Sequence, residues 1–175
     1  MQITAGELVV LGLLAEQPRH GYDVEQVIEQ RGIRRWTDIG FSSIYYLLAK
    51  LEKRDLVAVE AGTRPSAKSR RVFGITEEGR RTAADGVREL LADAHTDPRS
   101  FLAGLANQVL LPPDEVDEAL RGRLAALDAR IESVVSTREA QHPLPRHALE
   151  LFSYSLSQLR AERSWLAERV QVSDE

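Results

Sequence analysis

There is no cysteine among the 175 residues. That excludes disulfides, thiolate nucleophiles, thiol redox sensing and cysteine-ligated zinc. Long apolar runs are missing as well. None approaches the roughly 20 residues needed to span a bilayer. The N-terminus lacks a basic segment followed by an apolar one, so no signal peptide is expected, and the expected compartment is the cytoplasm. No Walker-type loop, no GxGxxG and no nucleophile elbow occurs. The histidines, His20, His95, His142 and His147, never stand at i, i+4 beside a glutamate. Two prolines separate the last two. No metal, no cofactor and no enzymatic activity are expected.

What is present is ordinary for a globular chain: 43% apolar and 29% charged residues. The length suits one domain or two small ones. The net charge of −4 is unevenly placed. Residues 1–95 hold 14 basic against 14 acidic residues, and residues 96–175 hold 9 against 13. The whole acidic excess therefore lies in the second part. Within the first, Arg64 to Arg71 carries four cations and no acid. Counterion release from nucleic acid depends on such local cations rather than on whole-chain charge.

Phe41 to Arg54 reads as a short two-faced helix. Ile44, Leu47, Leu48 and Leu51 recur at helical spacing and form an apolar stripe. Ser42, Ser43, Tyr46, Lys50 and Lys53 fall largely off it. Hydroxyls near the N-terminus and cations further along are the mix a DNA-reading helix needs, although an ordinary surface helix has the same two faces. Upstream, Thr4-Ala5-Gly6-Glu7 matches a capping box, and Leu8 to Leu14 is apolar nearly all round, which predicts a buried helix ended by Pro18. His20-Gly21-Tyr22-Asp23 opens a second helix, with Val24, Val27 and Ile28 on one side and Gly32 as its stop. Trp36, in the connector, reads as a core plug or a ligand platform.

Downstream, Leu56–Ala61 predicts a strand, 62–69 a turn-forming basic loop, and Arg70–Ile75 the return strand. Thr76, with Glu77 and Glu78, opens a further helix. Three helices, a strand, a basic loop, a strand and a helix make the winged-helix order. The predicted class is therefore mainly α with a small β-hairpin, the second and third helices forming a helix-turn-helix and the loop a wing.

The residues also carry a family resemblance. Leu11-Gly12-Leu13-Leu14, His20-Gly21-Tyr22, Ser43-Ile44-Tyr45 with Leu48 and Leu51-Glu52, Leu56-Val57, and Phe73-Gly74-Ile75-Thr76-Glu77-Glu78-Gly79 resemble the PadR family of bacterial transcriptional regulators. The match runs over roughly residues 5–85. Tyr46 departs from it, where proline or a smaller residue is frequent. Phe73 departs too, where tyrosine is usual. The resemblance implies sequence-specific binding of double-stranded DNA. It places groove or phosphate contacts at Ser42, Ser43, Tyr45 and Tyr46. Lys50 is expected on phosphate, Tyr22 on the backbone at the start of the second helix, and Arg64, Lys68 and Arg70 of the wing along the minor groove.

Asp97-Pro98-Arg99 marks a break, so a winged-helix DNA-binding domain is expected over 1–95 and a helical dimerisation domain over 96–175. Phe101, Leu102, Leu105, Val109 and Leu110 predict a helix of about three turns. After Pro112-Pro113, Leu120, Leu124, Leu127, Ile131 and Val134 form a short heptad seam. Beyond Pro143 and Pro145, a last helix from about Arg146 to Val170 carries the seam Leu149, Phe152, Leu156, Leu159, Arg163, Leu166, Val170. Arg163 interrupts its apolarity and needs a carboxylate partner. The two helices read as an antiparallel arm that packs on a second subunit through Leu149, Phe152, Leu156, Leu159, Arg163 and Leu166, or as a self-contained hairpin. The resemblance, through the tryptophan position of Trp165, favours a homodimer.

The resemblance further implies a repressor on a pseudo-palindromic operator, released by a small aromatic effector. Trp36, Phe101, Phe152, Tyr154 and Trp165 are candidates to line its pocket. Each of them reads first as core or dimer packing. Two other readings stay open: a winged-helix protein-interaction module without specific DNA reading, and an activator of the same fold.

Overall fold

The computed structural model of the protein describes residues 3–40, 43–60 and 71–173. The chain divides into two compact units: 1–90 with 96–112, and 91–95 with 113–175. Residues 96–112, past the Asp97-Pro98 break, thus group with the first unit.

In the first unit, α1 (Ala5–Glu16) starts with the capping box its sequence predicts. Thr4 Oγ1 accepts from the Glu7 N–H at 3.2 Å, and the Glu7 carboxylate accepts from the Thr4 N–H at 2.9 Å. Every residue from Glu7 to Leu14 is buried, as befits a helix apolar on all sides. α2 (Gly21–Gln30) buries Val24 and Ile28. It stops where Gly32 turns left-handed at φ +63°, a conformation that side chains with a Cβ resist. A 3₁₀ turn, Ile33–Arg35, leads on. α3 (Ser43–Lys53) buries Ile44, Leu48 and Leu51, while Leu47 is half-buried. The predicted stripe is therefore the one that holds the helix.

The predicted strands appear as β2 (Val57–Val59) and β3 (Val72–Ile75), pairing antiparallel with Val57 opposite Ile75. The sheet has a third strand, β1 (Arg19–His20), on the other side of β3, with Arg19 opposite Phe73. The sequence reading assigned His20 to the start of α2 and missed this strand. Two residues are too few for any periodicity to register, and only the pairing partner defines the element. The sheet packs on α1 through β3, where Phe73 is buried. α4 (Glu77–Ala92) follows, opened by Thr76, whose hydroxyl accepts from the Gly79 N–H at 2.9 Å. α5 (Pro98–Ala106), capped by Asp97, packs on α1.

The second unit is built on α6 (Pro113–Ala140) and α7 (Arg146–Ser173). They run antiparallel, as the ion pairs show: Asp117 with Arg169 at 3.6 Å and Arg123 with Glu162 at 2.6 Å. α6 buries Val116, Ala119, Leu120, Arg123 and Leu127. α7 contributes Leu156, Leu159 and Leu166. The buried stretch of α6 is displaced toward its N-terminus from the predicted seam, since Ile131 and Val134 are only half-buried.

Candidate nucleic-acid interface

The ends of α2 and α3 meet at Gly21. A Cβ there would lie 2.8 Å from Tyr45 Cε1 and 3.2 Å from Leu48 Cδ1, so the close approach of the two helices requires glycine. It also lays the Tyr45 ring against the first residue of α2, next in sequence to Tyr22. Tyr22, Tyr45 and Tyr46 are 58%, 49% and 67% exposed, which is unusual for large rings in a unit with a complete core. The Tyr22 hydroxyl accepts from Gln26 Nε2 at 2.8 Å, which leaves its own O–H to donate elsewhere. Ser43 Oγ accepts from the Gly40 N–H at 3.1 Å, and its proton is likewise not used in that bond. Ser42, Arg64, Lys68 and Arg70 lie outside the described residues.

Upstream, the connector into α3 is held by Arg34. Its guanidinium donates to the Ile39 carbonyl at 2.5 Å, to Glu29 at 3.1 Å and to Glu25 at 3.3 Å. The pattern of the sequence does not announce this clamp, because the partners lie on α2 and beyond the turn.

Lys50 of α3 and Arg54, just past its end, share one acid. Lys50 Nζ lies 3.0 Å from Glu7 Oε1, and Arg54 Nη1 lies 3.0 Å from the same oxygen. Glu7 is fully buried. Burial works against its charge, but the Thr4 N–H, the Lys50 ammonium and the Thr4 hydroxyl outweigh it and hold the carboxyl below the ordinary glutamate value. Arg71, the last cation of the basic run, pairs with Glu52 of α3 and stands 4.9 Å over the Phe73 ring. That contact joins α3 to β3.

Away from this surface, a cavity of about 220 Å³ opens among Val9, Leu13, Glu16, Arg31, Ile33, Trp36, Ala106 and Asn107. Arg31 grips Glu16 through two bonds, of 2.5 and 2.9 Å. The Arg31 guanidinium depresses the Glu16 pKa, and the pair raises that of Arg31. Of the candidate effector residues, Trp36 lines this cavity, and Phe101 is buried in the same unit. Phe152, Tyr154 and Trp165 lie on α7 of the other unit. Of the candidate dimer residues, Leu156, Leu159 and Leu166 are buried within a single chain. Leu149 is 38% exposed, and Phe152 is half-buried. Arg163 finds its carboxylate in Asp128 of α6. Sequence reasoning missed Arg123, which is 1% exposed and paired with Glu162.

Among the described residues no cluster of His, Cys, Asp or Glu is placed to hold a metal ion. No helix among them is long and apolar enough to cross a membrane.

Residues 10–85 match the model of the family described as Transcriptional regulator PadR-like. No curated protein matches the chain. Among solved structures, smu.1604c from Streptococcus mutans UA159 is 23% identical over 98% of this chain and 99% of its own, at a TM-score of 0.41. PadR of Bacillus subtilis, in complex with p-coumaric acid, is 17% identical over 98% of this chain and 100% of its own, at a TM-score of 0.42. In complex with operator DNA it is 16% identical over 97% and 99%, again at 0.42.

Proposed function

We propose that the chain, whose residues 10–85 match the PadR-like family of transcriptional regulators, is a homodimeric repressor that reads a pseudo-palindromic operator through α3. The observation that carries this is the tyrosine surface. Tyr22, Tyr45 and Tyr46 stand exposed where α2 and α3 meet, while Ile44, Leu48 and Leu51 anchor α3 from behind. Uncharged donors with flat apolar bodies suit base edges and sugar better than bulk water. In a twofold dimer, half-site centres stand about 10 bp apart or a multiple of that. The basic segment with Arg64, Lys68 and Arg70 supplies the electrostatic part of the affinity.

The dimer element is the α6–α7 arm. Leu149, Leu151, Tyr154 and Trp165 remain 38%, 69%, 64% and 44% exposed, and a second copy is the partner that covers them. Leu151→Glu is expected to give monomers in sedimentation, and an unchanged dimer would exclude this face. The effector site is the cavity beside Trp36, where Val9, Leu13, Ile33 and Trp36 offer an apolar wall to a small aromatic ring and Arg31, Glu16 and Asn107 a polar one. Replacing Trp36 by Phe should remove the ligand response of the fluorescence while the Trp165 signal persists.

The deciding experiment is a gel shift with the DNA upstream of the protein's own gene against a random duplex. Tyr46→Ala should cost the specific complex at least about tenfold, the scale of one lost base contact, with random-duplex binding unchanged. Equal loss on both duplexes would assign Tyr46 to the backbone instead. A protein-interaction module would show neither binding nor salt dependence.

A further inference from the structure

Lys50 of α3 and Arg54, the residue just past its end, follow the tyrosines on the same stretch of chain, and both end on one carboxylate oxygen. We propose that Glu7 is a positioning residue for DNA reading: it keeps Lys50 and Arg54 off the phosphates, fixes α3 against α1, and leaves recognition to the uncharged groups at the helix start. The inference rests on the reading of α3 as the DNA-contacting helix, and it assigns Lys50 the opposite role from the phosphate contact that its position on the helix suggests.

The geometry supports this in three ways. Glu7 has no solvent access, so its charge is sustained only by its partners. Those partners are specific: Oε1 takes Lys50 and Arg54, each at 3.0 Å, and Oε2 takes the Thr4 N–H at 2.9 Å. Finally, Lys50 can reach a phosphate only by leaving Glu7, which strips a buried carboxylate of one of its two cations. A buried charge loses more by that exchange than one exposed phosphate contact returns. Lys50 is 40% exposed, so solvent reaches its side chain beside Glu7. With Glu7, Lys50 and Arg54 together carry one net positive charge instead of two. Non-specific attraction is reduced, and the ratio of specific to non-specific binding rises as a result.

The capping box couples the two helices further. The same Glu7 side chain that closes the first turn of α1 also locks the last turns of α3. The placement of Tyr45 and Tyr46 is thus referred to the most deeply buried helix of the unit rather than to the surface.

The test is the salt dependence of binding, measured for each variant on the upstream duplex and on a random duplex. Wild-type protein that binds neither duplex would overturn the DNA reading itself, and this outcome is distinct from those that follow. Given wild-type binding, Lys50→Gln should leave the slope of log K against log salt unchanged and lower the melting temperature. A slope shallower by about 0.9, the value for one phosphate contact, would place Lys50 on DNA and overturn the proposal. Glu7→Gln should steepen the slope by about 0.9 for each cation released and reduce the upstream-to-random affinity ratio. An unchanged slope and ratio in a folded Glu7→Gln protein would also overturn it. If that variant fails to fold by circular dichroism, the Lys50→Gln slope decides alone, because a half-exposed lysine tolerates glutamine.

Discussion

Leu8 to Leu14 of α1 vanish into the first unit without exception. α7 is more than twice as long, yet it buries Leu156, Leu159 and Leu166 and leaves Leu149, Leu151, Tyr154 and Trp165 at the surface. A helix apolar all round can be satisfied only by surrounding elements of its own unit, and α2, α3, β3 and α5 all pack on α1. A helix with one buried stripe and further apolar residues outside it is satisfied on one side only. Ionic contacts follow the same division. In the first unit the buried acid Glu7 ties two helices that already share a core. In the second, Arg123–Glu162, Arg163–Asp128 and Arg169–Asp117 flank the apolar seam of Leu120, Leu127, Leu156, Leu159 and Leu166 along which the two helices pack. One unit is closed upon itself, and the other leaves apolar side chains of α7 exposed.

This contrast can be broken in several places, and the largest effect is expected in the closed unit. Leu51→Ala removes a fully buried side chain and should cost about 2–5 kcal/mol in urea unfolding. A cost under about 1 kcal/mol would mean that the α3 core relaxes freely and is not closed. In the second unit, Glu162→Ala strips the carboxylate from the buried Arg123 guanidinium and should cost on the order of 3 kcal/mol. Replacing both partners, as Arg123→Met with Glu162→Leu, should recover most of that loss. If the double variant is as unstable as the single one, the pair does more than compensate its own burial.

A smaller effect is expected at the start of α1. Thr4→Ala removes the hydroxyl cap and should cost about 1 kcal/mol, read as a lowered melting temperature. The gentlest probe is pH. The folded pKa of Glu7 is lowered, against burial, by the Thr4 N–H and the Lys50 ammonium. Its contribution is therefore complete above the ordinary value of 4.5 and is lost as pH falls through the lower folded value. Glu7→Gln should melt with a flatter pH profile than wild type below 4.5. Parallel profiles would show that Glu7 is not the titrating tie.

The sequence made the helices of the first unit legible because their signals are local. The Thr4–Glu7 box, the stripe at Ile44, Leu48 and Leu51, and the stop at Gly32 each lie within one turn of the element they define. What stayed hidden depends on distance in the chain. β1 is two residues long and exists only through Phe73 and Val72. Glu7 and Arg54 stand 47 residues apart, and no pattern within either helix signals that they meet. The pairing of Lys50 with Glu7 was hidden for the same reason. Of the seam expected on α7, Leu156, Leu159 and Leu166 are buried. A periodicity names the buried face, however, and does not say whether the same chain or a partner buries it. At the candidate interface, the exposure of Tyr46 could be anticipated from its place off the apolar stripe. The setting of Tyr45 against Gly21 could not.

The short strand β1 also bears on the order in which the protein folds. His20 Nδ1 lies 3.2 Å from the Arg71 carbonyl, across 51 residues of chain, and the whole β1–β3 ladder spans that separation. Closing so long a loop is entropically slow compared with forming the helices inside it. The helices of the first unit should therefore assemble early, and the sheet should close late. Mutations at Arg19 or His20 should then change the unfolding rate and leave the folding rate almost untouched.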